Sequence, residues 1–192
     1  MKYTLETIIT EYNAGTQQQY LFFWGHQPSK DGFLTNSCFS QWWQQDFSFE
    51  GLTYFCAEQW MMAEKARLFQ DYETLPLILE AGTPKECKSL GRKIKNFHED
   101  KWDKNKGNIV LFGNYLKFSQ NSSLSEFLLQ TNNDIIAEAS PYDKIWGIGM
   151  KAGDININNP GKWRGKNLLG FIIMEVRDAI RNNLPVGHVE FI

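Results

Sequence analysis

The stretch Ala57-Glu58-Gln59-Trp60-Met61-Met62-Ala63-Glu64-Lys65 constrains this chain more than any other. Read as a helix, it sets Glu58, Met61 or Met62, and Lys65 on one face, because residues three, four and seven apart lie close in azimuth. That face is largely apolar, yet it carries a carboxylate and an amine two turns apart. Charged groups are expensive to bury unless they are paired or used. The bland reading is a partly exposed ion pair with the methionines as core filler. The functional reading is an acid or base beside a desolvated lysine. Burial pushes a carboxylate pKa up and a lysine pKa down, which makes both useful near neutral pH.

At 192 residues the chain fits one domain, long enough to bury a core without staples. No linker, low-complexity tract or internal repeat interrupts it. Its aromatic content is high: Trp24, Trp42, Trp43, Trp60, Trp102, Trp146 and Trp163 accompany 14 Phe and 7 Tyr. Such rings suit flat bases, although a tryptophan is more often core. A net charge of −2 argues against a broad nucleic-acid surface and leaves room for a local phosphate pocket. Cys38, Cys56 and Cys87 are odd in number and widely spaced, so neither a disulfide scaffold nor a zinc cage is expected. His26, His98 and His188 are too scattered for metal-ligand spacing. The apolar runs are only a few residues long, so neither a signal peptide nor a membrane span is expected, and the cytoplasm is the simplest location.

Helices are expected to dominate. A short strand is read within Gln17–Trp24, and Phe47-Ser48-Phe49 and Leu52–Phe55 flank Glu50-Gly51 as a two-residue hairpin. Thr83, Pro84 and Glu86 form a helix start with a capping box, followed by an inward stripe of Cys87, Leu90, Gly91 and Ile94. A further helix is placed from about Asn108 to Phe118, and Ser123 with Glu126 repeats the box. Ile135–Ala139 reads as a strand. Leu169, Ile172, Ile173, Val176 and Ile180 space a last helix over Leu168–Ile180, in which Gly170 marks close packing or close ligand approach. The segment Asp143–Lys166 has no clean period and reads as a structured loop.

Two further segments are candidates for chemistry. In Glu138-Ala139-Ser140-Pro141-Tyr142-Asp143-Lys144-Ile145-Trp146-Gly147-Ile148-Gly149, a carboxylate precedes an aromatic plate and glycines that let backbone approach a ligand. Its alternative is a tight turn with a core tryptophan. In Trp163-Arg164-Gly165-Lys166-Asn167, cations precede a helix N-terminus, which is a ready anion site. Its alternatives are an exposed basic loop and a plain N-cap at Asn167. Trp102 and Lys117 are read as a stacking plate and a phosphate partner.

Taken together, Ser40-Gln41-Trp42, Cys56–Ala66, Gly113-Asn114-Tyr115-Leu116-Lys117-Phe118, Glu138–Pro141, Asp143, Trp146–Gly149 and Asn167–Gly170 resemble the NADAR superfamily, also called YbiA-like. The similarity runs from roughly Phe22 to Arg181. It implies a mainly α (α+β) fold: a compact helical domain with a few short strands, single over 1–192 with its core at about 22–181. It also implies an N-glycosidase cleaving the C–N bond between ribose and an amine or base. The substrates implied are phosphorylated ribosylamino-pyrimidine intermediates of riboflavin synthesis or ADP-ribosylated guanine. The catalytic candidates are then Glu58, Lys65 and Asp143. The binding candidates are Trp24, Gly25, Ser40, Trp102, Lys117, Glu138, Trp146, Gly147, Gly149 and Asn167. Thr131-Asn132-Asn133-Asp134 and the Asn-rich stretch Asp154–Pro160 depart from the family pattern in loops, which bears on substrate choice.

Glycosidic chemistry passes through an oxocarbenium-like state that a carboxylate stabilises, the role expected of Glu58, with Asp143 orienting ribose or water. A base is expected to stack on Trp102 or Trp146, with Lys117 and the amides near Asn167 holding phosphate. A neutral Lys65 opens a second route, through a Schiff base with a ring-opened sugar. No step requires a redox cofactor or a metal. Composition leans towards a small phosphorylated metabolite over a nucleic-acid base. The alternative outside enzymes is a non-catalytic ADP-ribose or NAD-binding module.

Overall fold

The computed structural model describes residues 2–187, so His188 lies outside the described residues. In chain order its elements are α1 (Leu5–Asn13), β1 (Tyr20–Phe23), β2 (Gln44–Phe49), β3 (Leu52–Cys56), α2 (Ala57–Leu68), α3 (Thr74–Glu80), α4 (Pro84–Gly91), α5 (Glu99–Ser119), α6 (Ser122–Leu129), β4 (Ile135–Glu138) and α7 (Leu168–Arg181). Single 3₁₀ turns occur at Asn36–Phe39 and Pro160–Lys162. The fold is α+β with helices dominant, as expected. No helix among the described residues is long and apolar enough to cross a membrane.

These elements sort into two compact units. The first takes the chain through Ser40 together with Ser122–Leu184, and the second is built on Gln41–Asn121.

In the first unit, β1 and β4 pair in parallel, in register from Tyr20 with Ile135 to Phe23 with Glu138. Parallel neighbours need a long crossover, and here more than a hundred residues of chain separate the two strands. The amphipathic α7 buries Leu169, Ile172, Ile173 and Val176 at helical spacing. Gly170 meets the strand backbone, since an added Cβ would lie 2.1 Å from the Ile136 carbonyl oxygen. The close packing inferred for this glycine is therefore against β4. Arg177, 1% exposed, donates from Nη1 to Thr131 Oγ1 at 2.8 Å and to the Asp134 carbonyl at 2.9 Å. It ties the loop before β4 to α7.

In the second unit, β2 and β3 form the expected hairpin. Glu50 and Gly51 both take positive φ (49° and 77°), the conformation of the tight turn that matches strand twist. Tyr54, Trp60, Phe47, Phe49 and Phe112 form an aromatic core with ring centroids 5.1–6.4 Å apart. Each such ring contributes roughly 1.5–3 kcal/mol by burial. Trp60 also donates its indole N–H to the Ile109 carbonyl at 2.9 Å, which satisfies its polar handle.

Several local expectations are corrected. Two helices, α1 and α3, were not anticipated. The helix expected from Asn108 begins at Glu99, because its first turns are polar and show no apolar stripe. Thr83 Oγ1 accepts the Glu86 N–H, but the Glu86 carboxylate returns to the N–H of Gly82, not of Thr83. That helix closes at Gly91, so Ile94 is buried from the following turn. Ser123 lies inside α6, which starts at Ser122.

Candidate functional site

In the second unit, β3 runs directly into α2, which places Glu58 in the first helical turn, where the helix dipole favours negative charge. Glu58 is 3% exposed, and its N–H donates to the Gln41 carbonyl at 2.9 Å. The preceding Cys56 is fully buried, and burial pushes its thiol up to about 12. The charge of Glu58 pushes the same way and that of Lys117 opposes it, so all three groups sit within electrostatic reach. Lys117, on α5, is fully buried. Lys117, read as a phosphate partner, therefore lies in the interior beside this cluster.

Gln41 and Asn114 complete this interior group, and neither was anticipated as a site residue. Asn114, fully buried one turn before Lys117, donates to Gln41 Oε1 and to the Val110 carbonyl, both at 2.8 Å. Both residues fall inside motifs that carry the family resemblance, and a buried amide in an apolar helix was the available signal.

Two turns beyond Glu58, Lys65 is half-buried. Its ammonium donates to the Gly91 carbonyl at 2.7 Å and lies 4.4 Å from the Phe97 ring centroid and 5.5 Å from that of Trp102. Desolvation by burial lowers its pKa below the usual lysine range, against the opposing pull of the Glu58 charge. The short bond of Lys65 is thus to a carbonyl, where the bland reading expected a carboxylate. Gly91 packs tightly here: an added Cβ would lie 1.9 Å from Met62 Sδ, so a side chain there would force Met62 of α2 to shift.

The remaining candidates lie in the first unit, around the C-terminal ends of β1 and β4. Trp24 is 59% exposed, and Gly25 takes φ 83°. Ser40 closes the 3₁₀ turn after Thr35, donating its N–H to the Ser37 carbonyl. Past Glu138, Ser140 Oγ accepts the Asp143 N–H at 3.2 Å. Asp143 Oδ1 accepts the N–H groups of Ile145 and Trp146, at 2.9 and 2.7 Å. Its carboxylate therefore shapes the turn that carries Trp146 and Gly147. Sequence reasoning paired this acid with the tryptophan but not through the backbone.

That turn is laced to the segment before α7. Arg164 N–H donates to the Ile148 carbonyl, Lys166 to Lys144, Asn167 to Gly147, Leu168 to Ile145 and Leu169 to Trp146. The expected anion cradle at this helix start is corrected, because the N–H groups of residues 167–169 already serve these loop carbonyls. The Gly149 N–H likewise serves the Asp143 carbonyl. Asn167 occupies the N-cap position with φ 52° and makes no side-chain cap bond. Arg164 and Lys166 remain exposed.

A family model for the NADAR domain matches residues 22–181. The chain belongs to the NADAR domain family. An N-glycosidase of Acanthamoeba polyphaga mimivirus is 45% identical over 166 residues, covering 83% of this chain and 95% of the viral protein. A riboflavin biosynthesis protein of Vibrio vulnificus is 24% identical over 193 residues, covering 100% of this chain and 47% of that protein. Among solved structures, the NMR structure of the E. coli protein YbiA matches with a TM-score of 0.67 at 24% identity, covering 91% of this chain and 93% of YbiA. That last likeness concerns the fold.

Proposed function

We infer that the chain is an N-glycosidase, a hydrolase of C–N bonds between ribose and an amine or base, and that its substrate is a phosphorylated ribosylamino-pyrimidine of riboflavin synthesis. Its family and its N-glycosidase relative support the reaction class, and the riboflavin biosynthesis relative favours the metabolite. The observation that carries the chemistry is the desolvated Lys65 amine on the same helix as buried Glu58, whose charge acts on it.

Cleavage requires a proton on the departing nitrogen, charge stabilisation at the anomeric carbon and a water to attack it. Glu58 supplies the proton or the stabilising charge. Trp102 offers a ring to the base. Lys65 offers an alternative covalent route, in which its neutral amine adds to the imine carbon of the ring-opened ribosylamine and the pyrimidine amine leaves with a proton. Water then hydrolyses the resulting lysine Schiff base to release the sugar. Asp143 fixes the turn that carries Trp146. The site is read as working without a redox cofactor or metal, in the cytoplasm, as one NADAR domain.

A second reading is removal of ADP-ribose from guanine. Incubation with a ribosylamino-pyrimidine phosphate and, in parallel, with ADP-ribosylated guanine DNA separates the readings. Release of ribose phosphate from the first supports the metabolite, and release of ADP-ribose from the second alone replaces it. Saturable binding to both without release identifies a binding module.

A further inference from the structure

Phe97 lies between α4 and α5, directly after Asn96, where the chain turns through a positive φ of 56°. It is 46% exposed. One side packs on Phe69, with centroids 5.2 Å apart, and the Lys65 ammonium approaches to 4.4 Å. The same ammonium lies 5.5 Å from the Trp102 centroid. Single exposed apolar residues are ordinary on a protein surface. This one borders the desolvated lysine of the candidate site and leaves nearly half its surface open to a ligand.

We propose that Phe97 is a substrate-binding residue, a second aromatic surface beside Trp102 on which the flat base of the substrate stacks next to Lys65. The inference rests on the N-glycosidase reading for the identity of the ligand. A planar base offers its π-face to any aromatic ring, and stacking tolerates different bases. The Lys65 ammonium lies over the ring, so the ring that receives the base also helps to keep the amine desolvated. The ring belongs to the surface that contacts the departing base, and ribose phosphate makes no use of it.

The test uses the full chain and two probes, 5,6-diaminouracil as a free base and ribose 5-phosphate as the sugar half. Each is titrated by calorimetry into wild type, Phe97→Ala and Phe97→Trp. The expected result is roughly tenfold weaker binding of the diaminopyrimidine to Phe97→Ala, recovery in Phe97→Trp, and unchanged binding of ribose 5-phosphate. In turnover of the ribosylamino-pyrimidine phosphate, KM for Phe97→Ala rises by a similar factor. Equal binding of the base to wild type and Phe97→Ala overturns the proposal, as does absence of base binding by wild type. Parallel loss of both probes also overturns it, since that reports packing alone. Base binding that depends on Phe97 in a protein that releases no sugar leaves Phe97 in place and removes the N-glycosidase reading.

Discussion

The side chain of Asn167 is bonded to the backbone of Glu138, its Oδ1 accepting the Glu138 N–H at 3.0 Å, while its Nδ2 donates to the Ile136 carbonyl at 2.9 Å. One fully buried amide thus fastens the start of α7 to β4. It does so from a left-handed backbone that asparagine tolerates better than most residues. The residue holds the end of β4 at Glu138, from which Ser140 and Asp143 follow.

Asn167→Ala is therefore expected to destabilise the fold by about 2–4 kcal/mol, through two lost bonds and two buried backbone groups left without partners. Asn167→Asp keeps the acceptor for Glu138 but sets a carboxylate oxygen against the Ile136 carbonyl, so it is expected to lose stability as well. Urea unfolding midpoints at neutral pH measure both. Midpoints matching wild type would show that the amide is dispensable to the fold.

Glu58→Gln preserves size and hydrogen-bonding capacity but removes the acid and its charge. Turnover is expected to fall by roughly 10²–10⁴, with circular dichroism unchanged. Near-normal turnover in a folded variant ends the role assigned to Glu58.

Lys65 predicts a pH signature. Burial lowers its pKa, so the neutral amine appears at lower pH than for a lysine in water, whose value is about 10.4. If the amine is the nucleophile, kcat rises with pH through an inflection below that value, and Lys65→Arg abolishes the rise. Borohydride added during turnover then leaves a sugar adduct on Lys65, detectable by mass spectrometry. An unmodified Lys65 removes the covalent route and leaves Glu58 chemistry standing. Stability follows the same sign. The unfolded chain binds the proton more tightly, so the contribution of Lys65 grows as pH rises through the lowered pKa and is lost as pH falls through it.

Asp71 is expected to govern acid stability. It is 3% exposed and accepts the Thr74 N–H at 3.0 Å, the Thr74 hydroxyl at 2.7 Å and the Lys95 N–H at 2.8 Å. Burial alone would raise its pKa, but these hydrogen bonds together outweigh it and hold the carboxyl below its usual range. Its contribution is present above the unfolded value of about 3.9 and is lost as pH falls through the lower folded value. Asp71→Asn should cost about 1–3 kcal/mol at pH 7 and flatten the loss of stability on acidification. Denaturant midpoints of both proteins between pH 7 and pH 2 provide the check.

What the sequence determined by itself was local. Glu50-Gly51 encoded the hairpin because only a short list of residues accepts successive positive φ values. Thr83 and Pro84 encoded the start of α4, and the spacing of Leu169, Ile172, Ile173 and Val176 encoded α7. The motif order around Glu58, Lys117, Asp143 and Asn167 was enough to mark the family. Helix α1 was legible in the spacing of Leu5, Ile8, Ile9 and Tyr12 and was not read, whereas the short α3 and the polar first turns of α5 carry little apolar periodicity to announce them. Tertiary structure alone decided where the polar groups found partners. Lys65 meets the Gly91 carbonyl and the Phe97 ring, the Asp143 carboxylate meets the N–H of Trp146, and the α7 N–H groups meet the carbonyls of residues 145–147. Periodicity records which face of an element is buried. Buried donors and acceptors must be satisfied, and the partner of each is set by segments distant in the chain that packing brings together.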